Sequence, residues 1–467
     1  MSKDFHYLSL IEISKMIRTG AASPVDVTQS LLGRIAALDP RLHAYATVMA
    51  ERALDAAHQA ESEIARGMRR GPLHGVPVAV KDLCFTKDAP TGAGMTIHRG
   101  RVPDYDATVV ERLRRAGAVI LGKLQLTEGA TGHHHPDIVA PINPWGADRW
   151  TGVSSSGSGV ATAAGLCYGA LGSDTAGSIR FPSASCGLTG IKPTWGRVSR
   201  YGVFPLAESL DHIGPMARNA KDAAAILGAI AGADPNDPTA LNAPVPNYLS
   251  GIGEGIRGLR IGIDWSYAGD VTDESVKKAL EEAIRTLEKQ GAIIVPVTFP
   301  VIDDVFMAGL TFFSVEVALA HETTYPARKD EYGPALAMQI ELGRAAGGMD
   351  MARAQNARLA FSGKLRTLFD GIDLLAAPAI AMEVPTPDEA NAMFADIEKG
   401  LPRIVRFTLP FDASGSPTIT LPCGVDARGL PIGFQLVGPH LSEALIARAA
   451  NAYQSVTDWH TRHPDMG

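Results

Sequence analysis

The stretch from Trp150 to Arg180, W-T-G-V-S-S-S-G-S-G-V-A-T-A-A-G-L-C-Y-G-A-L-G-S-D-T-A-G-S-I-R, decides how the rest of the chain is read. It holds six serines, three threonines and seven glycines, with Asp174 as its one acidic residue and Arg180 as the base that ends it. Glycine- and serine-rich segments are commonly flexible linkers. A linker has no apolar run, whereas Val160 to Leu171 is built largely of Ala, Leu, Val, Cys and Tyr and has to pack against something. The stretch therefore reads as a helix near Ser158–Tyr168, a strand near Ala170–Gly172 and then a loop. Hydroxyls and main-chain N–H groups gathered in this way suit a site where a nucleophile meets hydrogen-bond donors.

Upstream, the chain to Arg70 reads as helices. Leu8, Ile11 and Ile17 mark a short amphipathic stretch. Ser23-Pro24 is an N-cap and N1 pair opening a helix that should end near Asp39-Pro40, and a third helix runs from about Val48 to Arg66. A turn at Gly71-Pro72 leads into G-V-P-V-A-V-K-D, where Val76, Val78 and Val80 form a short strand ending in Lys81 and Asp82. The C-terminal ends of strands are where open α/β sheets bind ligands. Thr108–Ala116 as helix and Ala118–Leu121 as strand continue a β-α-β rhythm, which predicts parallel strands covered by helices.

Downstream strands are expected at Gly187–Ile191, Arg260–Asp264, Ala292–Val297, Asp373–Ala377, Thr418–Pro422 and Ile432–Val437. Helices are expected at Glu274–Gln290 and Ser442–Tyr453. The region from about 306 to 370 is helical, rich in Ala, Met and Arg, and is a candidate cap over the site. No repeat or low-complexity linker divides the chain, so residues 1–467 read as one large α/β unit.

Composition narrows the function. Apolar residues make up 46% and charged residues 20%, enough for a sizeable core. A net charge of −7 with no basic block argues against binding free nucleic acid. Cys84, Cys167, Cys186 and Cys423 are widely spaced and form no C-x-x-C, which fits buried thiols in a reducing compartment. The first residues carry no apolar signal-like run, and no apolar stretch is long enough to span a bilayer. A cytoplasmic protein is expected.

Several motifs fail on context. Gly253-Glu-Gly255-Ile-Arg-Gly258 matches G-x-G-x-x-G but precedes a strand, so a pyrophosphate would find no helix N-terminus. Ser275-Val-Lys-Lys278 matches S-x-x-K but opens a charged amphipathic helix, where Asp273 and Glu274 read as capping and dipole residues. No G-x-S-x-G occurs. His133-His134-His135 project in different directions in any regular element and lack a carboxylate at ligand spacing, so they read as a pocket-lining loop or a surface turn rather than a metal site.

Cleaving an unactivated amide takes a nucleophile, a proton shuttle that reaches the leaving nitrogen, and donors for the oxyanion. No histidine lies inside the Ser/Gly stretch. A neutral lysine can replace it once burial lowers its pKa from about 10.4. Lys81, ending a valine-rich strand, is placed for burial; a surface lysine paired with Asp82 is the equal alternative. The loop Gly172-Ser-Asp-Thr-Ala-Gly-Ser178 has the small residues that let successive N–H groups share one concavity.

Together these segments resemble the amidase signature family of serine hydrolases. The resemblance is carried by G-V-P-V-A-V-K-D, G-V-S-S-S-G-S at 152–158, G-S-D-T-A-G-S-I-R at 172–180, G-L-T-G-I-K-P-T-W-G-R-V-S-R-Y-G at 187–202 and the C-terminal G-L-P-I-G-F-Q-L-V-G-P, and it is densest from Gly71 to Pro215. It implies a large mixed β-sheet sandwiched between helices, with a catalytic core at about 71–215. It implies a Ser–Ser–Lys triad: Ser178 as nucleophile, Ser154, held by a cis peptide, as the bridging serine, and Lys81 as base. The backbone N–H groups of Thr175, Ala176, Gly177 and Ser178 would form the oxyanion hole. Neither metal nor organic cofactor is implied, and the family is compatible with a homodimer.

Val153, Ser156 and Ala176 stand where the family often has glycine; Ala176 fits only with a negative φ. The reading that follows is a small-molecule amidase for carboxamides or anilides, with ureas and carbamates as related substrates. The second reading is the glutaminase (amidase) component of a tRNA-dependent amidotransferase, which Gly187–Gly202 resembles closely. Against that stands L-Q-L-T-E-G-A-T-G-H-H-H-P before the Ser/Gly core, where that component has a Met-Asp-Glu-Phe-Ala-Met type of segment. A glutamine site would also need charged anchors, for which Glu316, Arg344 and Arg353 are candidates.

Overall fold

The computed structural model describes residues 5–466. Its strands are β1 (Tyr45–Val48), β2 (Pro77–Lys81), β3 (Val119–Leu124), β4 (Gly169–Asp174), β5 (Thr189–Lys192), β6 (His212–Ala217), β7 (Arg260–Ile263), β8 (Ile293–Pro296), β9 (Leu374–Pro378), β10 (Thr418–Val425) and β11 (Pro431–Val437). They form one eleven-stranded sheet in the order β1-β3-β2-β4-β6-β5-β10-β11-β9-β7-β8. The expected parallel rhythm holds at the two flanks: β2 pairs parallel with β3 and β4, and β7 with β8 and β9. Between them β4, β6, β5, β10, β11 and β9 pair antiparallel, so the sheet is mixed. Helices flank it. No helix among the described residues is long and apolar enough to cross a membrane.

Local chemistry sets the helix starts. Ser9 and Glu12 form a reciprocal capping box, and Ser23 accepts from the N–H groups of Val25 and Asp26 ahead of a helix with Pro24 at its start. That helix runs two residues past the expected stop, to Leu42, with Pro40 tolerated in its last turn and His43 closing it at φ 54°. Asp273 sits at the N-cap of the Glu274–Lys289 helix but makes no cap bond; its carboxylate accepts from Glu383 N and pairs with Arg403. Lys278 in the same helix is exposed and pairs weakly with Glu274.

Two strands escaped the sequence reading. β1 is a four-residue segment directly before the helix that begins at Ala50. β6 has Gly214 and Pro215 in its middle, which argues against a central strand. The sheet accommodates them because β5 pairs only with Met216 and Ala217 at the far end of β6. All four cysteines are buried free thiols.

Candidate active site

Lys81 ends β2 and is fully buried. Successive strand residues face opposite sides of a sheet, and the neighbouring Asp82 turns to another lysine: its Oδ1 lies 3.2 Å from Nζ of Lys123, on adjacent β3. Among the described residues Lys81 pairs with hydroxyls rather than a carboxylate. Its Nζ donates to the Oγ atoms of Ser154 (2.7 Å), Ser155 (2.9 Å) and Ser173 (2.8 Å). Burial pushes its pKa from 10.5 to about 7, with the thiol of Cys84 and the carboxylates of Asp174 and Asp211 opposing. A neutral amine keeps two N–H donors and gains a lone pair, so one of the three hydroxyls must then donate to it. The Ser155 hydroxyl is directed to Ser173 O (3.2 Å), which leaves Ser154 and Ser173 to supply that proton.

Ser154 and Ser155 precede the short Ser156–Ala163 helix and are fully buried; the Val153–Ser154 peptide bond is cis. Ser156 and Ser158 are framework hydroxyls, the first against His134 Nε2 (3.3 Å) and the second donating to Leu171 O (2.9 Å). Ser178 differs from all of these. It opens on a cavity of about 240 Å³ that Val153, Thr175 and Ala176 also bound.

The loop between β4 and the Arg180–Ser185 helix is organised by one carboxylate. Asp174 accepts from the N–H groups of Gly177 (2.7 Å), Ile179 (3.0 Å) and Arg180 (3.3 Å), and from Arg180 Nε (3.0 Å) and Nη2 (2.8 Å). Burial alone would raise its pKa, but the Arg180 guanidinium holds it well below the usual carboxylate range. Gly177 sits at φ 133°, and a Cβ there would lie 2.2 Å from the Phe181 ring, so only glycine fits. Ala176 keeps a negative φ, the condition its Cβ imposes. The N–H of Gly177 is taken by Asp174, whereas those of Thr175, Ala176 and Ser178 meet no acceptor among the described residues.

Arg180 also donates from Nη1 to Thr408 O (3.0 Å) and from Nη2 to Asp412. Burial pushes the Asp412 carboxyl well above its ordinary range, with Arg180 opposing, and its Oδ1 accepts no hydrogen bond among the described residues. Asp174, Arg180 and Asp412 are wholly buried. Replacing the arginine leaves two buried carboxylates facing each other, so Arg180→Met is expected to lose about 3–5 kcal/mol of stability in equilibrium denaturation. A loss under about 1 kcal/mol would mean that the loop is held by other groups.

The cavity is walled by apolar side chains. Gly309, Leu310, Phe313 and Ser314 come from the Asp303–Ala320 helix, and Ala335, Met338 and Gln339 from the Pro334–Ala345 helix. Phe394, Ala395, Leu401, Val405 and Leu409 form a wall that the sequence reading did not single out, on three short helical segments between Pro387 and Ala413. The Gly348–Gly371 helix, inside the expected cap, supplies no lining residue.

The three histidines diverge, as their adjacency requires. His133 reaches the cavity and packs against Phe394, His134 turns to Ser156, and His135 accepts from Asp137 N (3.0 Å). Burial lowers the pKa of His133 and, with His133 and Lys81 adding to it, takes His134 to about 4. The charged candidates lie elsewhere: Glu316 accepts from Ser209 N (2.8 Å), while Arg344 and Arg353 pair with Glu341 and Asp350 on exposed helix faces.

A family model described as Amidase matches residues 26–446. AmiD of Mycobacterium tuberculosis, provisionally named an amidase, is 48% identical over 459 residues, which is 98% of this chain and 96% of that protein. The amidase component of the glutamyl-tRNA(Gln) amidotransferase of Chloroflexus aggregans is 38% identical over 489 residues, covering 99% of each chain. Among solved structures, 6-aminohexanoate cyclic dimer hydrolase complexed with substrate superposes with a TM-score of 0.90 at 27% identity, over 99% of both chains.

Proposed function

The chain belongs to the amidase family and is an amidase, and from that premise we propose that it acts alone on small neutral amides, carboxamides or anilides, with ureas and carbamates as related substrates. Ser178 is the nucleophile, Ser154 the relay and Lys81 the base. Neutral Lys81 takes the proton of Ser154 as Ser154 takes that of Ser178, and the Ser178 Oγ–carbonyl carbon bond forms. The oxyanion is held by the N–H groups of Thr175, Ala176 and Ser178, with Gly177 oriented by Asp174. The C–N bond breaks as the leaving nitrogen receives the proton back along the same chain. Water then repeats the sequence on the acyl-enzyme.

One observation carries the choice of substrate class. Among the described residues no Asp, Glu, Lys or Arg bounds the cavity at Ser178. Glutamine would bring an ammonium and a carboxylate into that space, and unpaired charges cost several kcal/mol to desolvate. The likeness to the amidotransferase component supports glutamine as the second reading, with ammonia passed to a partner.

The purified chain is assayed without partners on a neutral anilide and on glutamine. Turnover of the anilide, with glutamine at least about 100-fold poorer in kcat/KM, is the expected result. Ammonia released from glutamine only when the other amidotransferase components are added, with no anilide turnover, would overturn the proposal.

A further inference from the structure

Glu128 lies in the loop after β3, is 2% exposed, and forms no ion pair with a lysine or arginine among the described residues. Its two carboxylate oxygens accept from one donor, Gly333 N, at 2.9 and 3.1 Å, and no other hydrogen bond reaches them among the described residues. Gly333 is the N-cap residue of the Pro334–Ala345 helix and has no capping side chain of its own; Pro334, next in line, has no N–H to offer. The contact is close: a Cβ on Gly333 would lie 2.4 Å from Glu128 Oε2. Burial raises the carboxyl pKa, with the Gly333 bond and His135 opposing.

A buried carboxylate with a single N–H donor at a helix start is a poor source of stability, since its desolvation is only partly repaid. Its position is informative instead. The loop that carries it supplies Ala130, Thr131 and His133 to the cavity, and the helix that it holds supplies Ala335, Met338 and Gln339. The same loop is tied to the serine cluster, because Thr127 N donates to Ser154 O at 3.3 Å. One side chain thus fixes the spacing of two cavity walls and references both to the catalytic serines.

We propose that Glu128 is a positioning residue that holds the Pro334–Ala345 helix at the distance from the 130–133 loop that an apolar acyl chain needs, and so sets selectivity for acyl length. The proposal rests on the reading of the apolar cavity as the site of the acyl group. Its test is kcat/KM on p-nitroanilides from acetyl to octanoyl, for the wild type, Glu128→Ala and Glu128→Gln. Glu128→Ala is expected to lower the octanoyl-to-acetyl ratio about tenfold, mainly through KM, since each methylene loses part of its wall. Glu128→Gln keeps an acceptor for Gly333 N–H and is expected to recover most of the ratio.

Gly333→Ala attacks the same contact from the helix side. Its φ of −65° suits alanine, and its Cβ displaces the carboxylate, so the same loss of selectivity is expected even if Glu128→Ala does not fold. Equal losses on short and long substrates in the folded variants would mark a purely structural role and overturn the proposal. So would a wild-type length dependence kept intact in both Glu128→Ala and Gly333→Ala. A wild-type series flat in acyl length would overturn the acyl-site reading and the proposal with it.

Discussion

Ser178→Ala is expected to hydrolyse a neutral anilide at least about 10⁴-fold more slowly than the wild type at saturating substrate, with its thermal midpoint little changed. The two halves of that expectation come from the same geometry. Ser178 is the hydroxyl on the cavity, while Lys81 holds three other hydroxyls and none of its three hydrogen bonds involves Ser178. Removing Oγ therefore deletes the attacking atom and leaves the lysine cluster intact. The Asp174–Arg180 clamp that shapes the oxyanion loop uses backbone N–H groups and the Arg180 side chain, so it too survives the substitution. Mass spectrometry of the wild type with a slowly deacylating substrate should show the added acyl group on Ser178, and the alanine variant should show none. Turnover within about tenfold of the wild type would move the nucleophile to another residue.

Residues that act through near neighbours were legible in the sequence, and those that act through distant ones were not. Val76, Val78 and Val80 alternate into a buried strand, which is why a lysine at its end could be expected in the interior. Whether Asp82 neutralised it depended on Lys123, which comes alongside only when β3 pairs with β2, so that question stayed even until the sheet was formed. Ser155 and Ser173 carried no local signal separating a lysine ligand from a framework hydroxyl; their role follows from the parallel pairing of β2 with β4. Asp412 is a lone acid in the run F-T-L-P-F-D-A, and its partner Arg180 lies 232 residues upstream. The cavity wall from Phe394 to Leu409 is built from segments of nine, six and five helical residues. Such short pieces do not complete the turns that make a periodicity visible, whereas the long helices at 303–320 and 334–345 do.

Lys81→Met is expected to cost about 10³-fold or more in kcat/KM and to abolish a pH dependence that the wild type should show. A base has to be neutral to accept a proton, so wild-type kcat/KM should rise with pH to a midpoint near the lysine pKa of about 7 and then level. Stability moves with the same group, in a direction fixed by its displacement. The folded pKa lies below the unfolded value of 10.5, so between about 7 and 10.5 the unfolded chain binds a proton that the folded one lacks. Stability then rises with pH across that window; below it both states are protonated and the full cost, about 5 kcal/mol, is present. Methionine cannot titrate. Measured by denaturant unfolding, the wild type should therefore gain about 2.5 kcal/mol on Lys81→Met between about pH 7.5 and 9.5. A wild-type activity profile flat down to about pH 5, or parallel stability profiles for the two proteins, would mean that the amine stays charged at neutral pH. The buried serines would then be holding an ammonium ion, and the base for Ser178 would have to be sought elsewhere.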